Sequence, residues 1–223
     1  MSSNNSATVD KYLEVIFYIA AEGEVVRPGK IAAWLLVSPP TVSEAMRRLE
    51  RDGWIEIHHD RSVTLTSKGT EVASNLVRHH RILERWLTDV LGLDWASADD
   101  EAERLSSAVS DFLIDRIDAS LQRPLTCPHG NPIPGREAAY GELAALATLG
   151  TGTRANVRRI SEVAEHEAKD LLTMLTANDI SEGSSIEVVA SPEETSEIEL
   201  VVEGRHVVLP RAAAQLIWVE LAA

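Results

Sequence analysis

Three pairs of ligand-type side chains stand four residues apart in this sequence: Asp10 with Glu14, His80 with Glu84, and Asp99 with Glu103. On a helix that spacing puts both members of a pair on one face, where carboxylate oxygens and imidazole nitrogens can converge on a divalent cation. Two carboxylates so placed repel each other weakly, and a bound cation reverses the sign. Arg47, Arg48 and Arg51 offer a different chemistry, a cluster of cations suited to phosphate oxygens. Neighbouring helical residues point about 100° apart, so Arg47 and Arg48 can straddle one groove edge. Cys127 and His129 form a Cys-x-His pair in a Pro-rich loop. With no second pair beside it, that spacing reads as loop structure and not as a ligand set. No nucleophile–base constellation, Gly-rich phosphate loop or HExxH motif is present, which argues against an enzyme.

The elements that must position these groups follow from periodicity. Residues 8–22 read as a helix with Val9, Leu13, Ile16 and Ala20 on one face. Lys30–Leu36 is a short helix, Val37 and Ser38 a turn, and Pro39–Asp52 a second helix. Ser38 can cap that helix, and Pro39 and Pro40 suit a first turn. Strands over Trp54–His58 and Val63–Thr66 flank the bend His59–Ser62. Helix, helix–turn–helix and hairpin in that order predict a winged helix-turn-helix. A long helix over Gly69–Leu91 carries Leu76, Leu83, Leu87 and Leu91 on one face, with His80 in the stripe. A further helix is expected to start at the acidic run Asp99–Glu101, which suits a positive helix N-terminus. Leu105, Val109, Phe112, Ile117 and Leu121 give it an apolar seam for a partner helix. Residues 136–147 read as a short helix or linker. Beyond them come five short strands over 156–160, 185–189, 198–202, 207–209 and 217–221, with one helix over Ala164–Thr176. That density suggests a small SH3-like barrel. The expectation is a mainly α chain with a β-rich end. It divides into a winged-helix domain (1–75), a helical metal-binding and dimerisation domain (76–140) and an SH3-like, FeoA-like domain (148–223).

A net charge of −14 argues against indiscriminate coating of nucleic acid. The acidity is uneven: residues 1–75 hold eight Lys/Arg against ten Asp/Glu, and residues 141–223 hold six against fourteen. A focused basic contact surface in the first third remains compatible with that balance. The one cysteine cannot make an internal disulfide, and Met1–Thr8 lacks the layout of a signal peptide. No apolar stretch nears the roughly 20 residues that span a bilayer. These features point to a reducing cytoplasm.

With the elements placed, the sequence resembles the metal-dependent transcriptional repressors of the diphtheria toxin repressor, iron-dependent repressor and manganese transport regulator type. The residues that carry the resemblance are Lys30-Ile31-Ala32, Pro40-Thr41-Val42-Ser43, Leu49–Gly53, Leu65–Gly69, Arg78–Glu84, Asp100–Glu103, Ser110-Asp111 and His129–Gly135. The resemblance implies a metal-stabilised homodimer on a palindromic operator in double-stranded DNA. Ser38, Pro40, Thr41 and Ser43 match the groove-facing start of its recognition helix, Arg47 and Arg48 are phosphate candidates, and Arg61 sits at the wing tip. Glu14, His80 and Glu103 match ligand positions of manganese-type members. His80, Glu84 and Asp99 fall on the ancillary site of iron-type members, with Asp99 in place of a histidine. Lys11 stands where the family has an acid or Met, and Ser106-Ser107 where it has Glu-His. The implied cofactor is one Mn(II) or Fe(II) per chain, not a pair. Glu165–Glu167 are candidate caps from the third domain. The alternatives are a metal-independent winged-helix paralogue with a degenerate site and, from another class, a metal buffer or small metalloenzyme.

Overall fold

The computed structural model describes residues 3–136, 140–162, 169–191 and 196–222, and the side chains of 3–6, 169 and 170 lie outside that description. The first unit comprises α1 (Ser3–Ala21), α2 (Pro28–Leu35), α3 (Pro39–Arg51), β1 (Ile55–Ile57) and β2 (Val63–Leu65). Its core gathers Leu13, Ile16 and Ile19 of α1, Ile31 and Trp34 of α2, Val42, Met46 and Leu49 of α3, and Ile55 and Val63 of the hairpin. The two strands pair antiparallel, with Ile55 opposite Leu65 and Ile57 opposite Val63. Leu36 makes the turn between α2 and α3 at φ 53°, a left-handed conformation that usually falls to Gly or Asn, and its side chain is 90% exposed. The expected winged helix-turn-helix is therefore present, with α1 starting five residues earlier than expected and the other element ends shifted by a residue or two.

The second unit is α4 (Ser67–Asp89), α5 (Trp95–Ser106) and α6 (Asp111–Ser120). Thr66 caps α4 through the Gly69 amide at 3.1 Å, and a Cβ on Gly69 would lie 2.1 Å from the Trp54 carbonyl oxygen. That close approach seats α4 against the chain entering β1. Here the apolar stripe understates the burial. His79, His80, Arg81, Ile82, Leu83 and Glu84 are all buried, because the middle of α4 is covered on more than one side, while Leu91 lies past the helix end and is exposed. The helix expected from the acidic run differs too. Asp94 caps α5 through the Ser97 amide at 3.0 Å, so α5 begins at Trp95 and Asp99–Glu101 fall after its first turn. Ser110 caps a separate α6, which splits the expected seam. Leu105, Val109, Ile117 and Leu121 pack within the chain, and Phe112 is left outside.

The third unit is β3 (Leu143–Ala145), a 3₁₀ turn (Leu146–Thr148), β4 (Arg154–Ile160), α7 (Lys169–Ala177), β5 (Ser185–Ala190), β6 (Glu197–Val202), β7 (Arg205–Pro210), α8 (Arg211–Ala214) and β8 (Ile217–Leu221). Its strands form a six-stranded sheet in the order β3-β8-β4-β5-β6-β7, with antiparallel pairs throughout. Alternating Val, Ile and Leu of β4–β8 point into one core with Leu171, Leu172 and Leu175 of α7. The five expected strands are present. The β3 strand replaces the expected helix or linker, because Leu-Ala-Ala has no alternation to betray it and forms only by pairing with β8. Trp95 of α5 belongs to this third core and so joins the second and third units. Glu165–Glu167, expected as caps, lie outside the described residues.

Candidate metal centre and nucleic-acid interface

Burial of Val42, Met46 and Leu49 turns the opposite face of α3 outward. Ser38, Pro40, Thr41, Ser43 and Arg47 are exposed there, and Arg48 is half-buried. The Ser38 hydroxyl accepts from the Thr41 amide at 3.4 Å and lies 2.8 Å from the Thr41 hydroxyl, which fixes the helix start. Ser43 donates to the Pro39 carbonyl at 2.9 Å. Arg47, Arg48 and Arg51 line a cleft with Thr8, Tyr12 and Thr41. At the wing, Asp60 Oδ1 accepts from the Ser62 hydroxyl at 2.6 Å and its amide at 3.0 Å, and these bonds hold the Asp60 carboxyl below its ordinary range. Arg61 sits exposed at the tip with φ 64°. Arg27 donates to the Asp60 carbonyl at 2.6 Å and braces the wing against the start of α2.

Glu84 is the centre of the second arrangement. Its side chain is wholly buried, and neither carboxylate oxygen has a well-formed hydrogen bond among the described residues. His129 Nδ1 nevertheless stands 2.8 Å from Glu84 Oε1 and 3.9 Å from Cys127 Sγ. The 2.8 Å approach is an ion pair when the imidazole is protonated, and the same nitrogen faces the thiol. Glu84, Cys127 and His129 can each bring one donor atom within 4.8 Å of the others, and all three are buried. Trp95 packs edge-on against the His129 ring at 4.6 Å, holding its plane. A buried carboxylate is costly unless positive charge joins it, and the donor chemistry of this trio fits a metal ion. Thiolate, imidazole and carboxylate together suit a first-row transition ion.

Glu84 also shares a second trio with His80 and Asp99. His80 Nε2 lies 3.4 Å from Asp99 Oδ1, and Nδ1 lies 4.0 Å from Glu103 Oε2. Burial by itself pulls the His80 imidazole down. The hydrogen bond to Asp99 and the charges of Glu84, Asp99 and Glu103 outweigh it and raise the group to about 9. Glu14 belongs to neither trio. Burial, with the Glu103 charge, raises its carboxyl to about 7. The Lys11 ammonium pairs with Glu103 and joins α1 to α5 at the point where the resemblance had placed a further ligand. Of the five expected metal residues, the structure thus gathers His80, Glu84 and Asp99, pairs Glu103 with the Lys11 ammonium, and leaves Glu14 buried outside the trio. The Cys-x-His pair lies in the loop expected from its spacing, and the loop brings it to face Glu84. Sequence spacing could not reveal this, because the third donor comes from a distant helix.

Family models match all three units. The iron-dependent repressor N-terminal DNA-binding domain matches residues 5–63, the iron-dependent repressor metal-binding and dimerisation domain matches 66–135, and the FeoA domain matches 144–221. The iron-dependent repressor IdeR of Mycobacterium leprae is 33% identical over 225 residues, covering 96% of both chains. The chain belongs to the iron-dependent repressor family. The diphtheria toxin repressor of Corynebacterium diphtheriae is likewise 33% identical, with 96% of each chain covered. A solved manganese-dependent transcriptional repressor in complex with manganese is 35% identical, covers 96% of this chain and 100% of its own, and has a TM-score of 0.84. Members of the iron-dependent repressor family are DNA-binding regulators and not enzymes, so the metalloenzyme alternative falls. The winged-helix, helical and SH3-like order expected from sequence is the family order. No helix among the described residues is long and apolar enough to cross a membrane.

Proposed function

We propose that this chain represses transcription in the cytoplasm as a homodimer on a palindromic operator, and that Mn(II) or Fe(II) held by Glu84, Cys127 and His129 governs that binding. The observation that carries the metal reading is the wholly buried Glu84 carboxylate, 2.8 Å from the His129 imidazole and clustered with the Cys127 thiol. A bound divalent ion would supply positive charge to Glu84 and to a Cys127 thiolate, in place of the His80 charge that faces Glu84 in the metal-free chain. Cys127 and His129 lie on the loop between the second and third units and Glu84 lies on α4, so their convergence fixes that loop on the helix. His80 and Asp99 extend the donor set through the shared Glu84. The thiolate favours Fe(II) over Mn(II), while the structural neighbour solved with manganese supports the opposite choice. On the DNA side, Thr41 and Ser43 face the groove, and Arg47, Arg48 and Arg61 face phosphates.

A titration of operator duplex with and without chelator tests the reading. Affinity is expected to drop by about tenfold or more when metal is removed. Equal affinity in both buffers would favour the second reading, a repressor that binds DNA without metal. The Lys11–Glu103 pair supports that alternative, because it ties α1 to α5 with a cation already built into the chain.

A further inference from the structure

Glu22 follows directly on α1, the helix whose Leu13, Ile16 and Ile19 anchor the winged-helix core. Its carboxylate reaches into the C-terminal unit. Oε2 accepts from the Arg159 guanidinium at 2.9 Å, and Oε1 accepts from the backbone amide of Glu162 at 3.0 Å. The contact is sheltered, with the Glu22 and Arg159 side chains 5% and 13% exposed. Charge-assisted hydrogen bonds in such a place hold geometry in a way that exposed ion pairs do not.

The same end of β4 is gripped by the loop that carries Cys127 and His129. The Ile160 amide donates to the His129 carbonyl at 2.8 Å, and Asn131 Nδ2 donates to the Ile160 carbonyl at 3.0 Å. Gly130, at φ 82°, passes so close that a Cβ there would lie 1.9 Å from the Arg158 carbonyl oxygen. Arg81 of α4 pairs with the Glu162 carboxylate and donates to the Pro132 carbonyl. Residues 158–162 are thus held at once by the ligand-bearing loop, by α4 and by Glu22 of the reading head.

We propose that Glu22 is a positioning residue through which the C-terminal domain holds the DNA-binding head, so that the set of the 127–134 loop is passed through the end of β4 to α1 and α3. This rests on the operator-binding reading above and adds to it a role for the third domain. The coupling is carried by a packed, hydrogen-bonded segment that both sites touch.

The test uses the full chain and a palindromic duplex that the parent protein selects from a random-sequence pool. Affinity is measured in excess Mn(II) and in chelator for Glu22→Ala, Arg159→Ala, the double variant and Glu22→Gln. In Mn(II), each alanine variant is expected to lose about tenfold in affinity, and the double variant no more than either single one. Glu22→Gln keeps an acceptor for the Glu162 amide and should fall between parent and alanine. Mn(II) calorimetry and sedimentation should match the parent, and amide exchange should rise at Glu162 without rising across β5 and β6. Single variants within about twofold of the parent, or fully additive losses, overturn the proposal. If the parent itself ignores chelator, the metal reading fails, and the same tenfold comparison in chelator still decides the role of Glu22.

Discussion

Glu14 and Cys127 give opposite views of what a buried ionisable group does here. The raised carboxyl of Glu14, at about 7 against an ordinary 4.5, means that the native chain keeps a proton the unfolded chain has lost. Stability of the metal-free protein through this group is therefore full below about pH 4.5 and declines as pH rises through 7. Glutamine mimics the neutral acid without a charge to desolvate. Metal-free Glu14→Gln should match the parent near pH 4.5 and exceed it at pH 8 by up to about 3 kcal/mol. Denaturant unfolding in chelator at the two pH values checks this, and a parent as stable as the variant at pH 8 contradicts it. His80, raised to about 9, behaves as a cation at neutral pH in the metal-free chain, and its contribution fades as pH climbs through that value. For Cys127, fully buried, the expected loss is of binding and not of fold. A saturating ion should raise the parent's stability by roughly 2.7 kcal/mol at a hundredfold excess over Kd. Cys127→Ser preserves shape but offers a poor ligand, and should forfeit most of that gain while melting near the parent's temperature in chelator. An undiminished thermal shift in the serine variant would place the ion elsewhere.

At the level of elements, the proposed reading divides the labour of DNA contact between α3 and the wing. Arg47 and Arg48 present charge along the helix, whereas Thr41 and Ser43 stand at its exposed start. Arg47→Ala or Arg48→Ala should weaken binding to all duplexes alike and lower the salt slope by about one, because phosphate contacts carry no base information. Thr41→Ala should instead change sequence preference. A selection experiment with salt titrations separates the two, and variants that keep both preference and slope would remove α3 from the groove. That α3 was legible in the sequence has a physical basis: Ser38, two prolines, an apolar face and Gly53 all agree on one helix. The start of α5 was not, because the acidic run Asp99–Glu101 imitates a first turn while Asp94, earlier in the chain, makes the cap. The strand β3 depends wholly on a distant partner. The candidate donor cluster was half legible: His80 and Glu84 share helical spacing, and with Asp99 they match family positions, but Cys127 and His129 meet Glu84 only when the loop folds back over α4. Periodicity reports what one helix presents, and is silent on what the fold brings to it.

The whole molecule poses a problem of symmetry and charge. A chain with a net charge of −14 holds its acidity mostly outside the winged-helix unit, so long-range repulsion from DNA falls chiefly on the domains that stand back. A palindrome needs two heads in fixed relation, and the matched dimerisation domain points to a two-fold partner. The stripe expected to form that interface is largely used within the chain, where Leu105, Val109, Ile117 and Leu121 pack on Ile82 and Leu83. What α6 leaves in solvent is Phe112, 73% exposed, and Leu113, 47% exposed, at its first turn. Large apolar side chains gathered on such a surface mark a contact with another chain. Phe112→Asp should therefore give a monomer by sedimentation at micromolar concentration. The substitution suits the fold, since an acid in the first turn of a helix meets its positive end, and the lost phenyl ring contributes nothing to the intrachain core. The melting temperature should stay within a few degrees of the monomeric limit, and affinity for the palindromic duplex should fall by more than about tenfold as the second head is lost. Half-site duplexes provide the control: the variant and the parent should bind them with similar strength. A Phe112→Asp protein that remains dimeric and retains the parent's affinity would place the two-fold interface on a different surface.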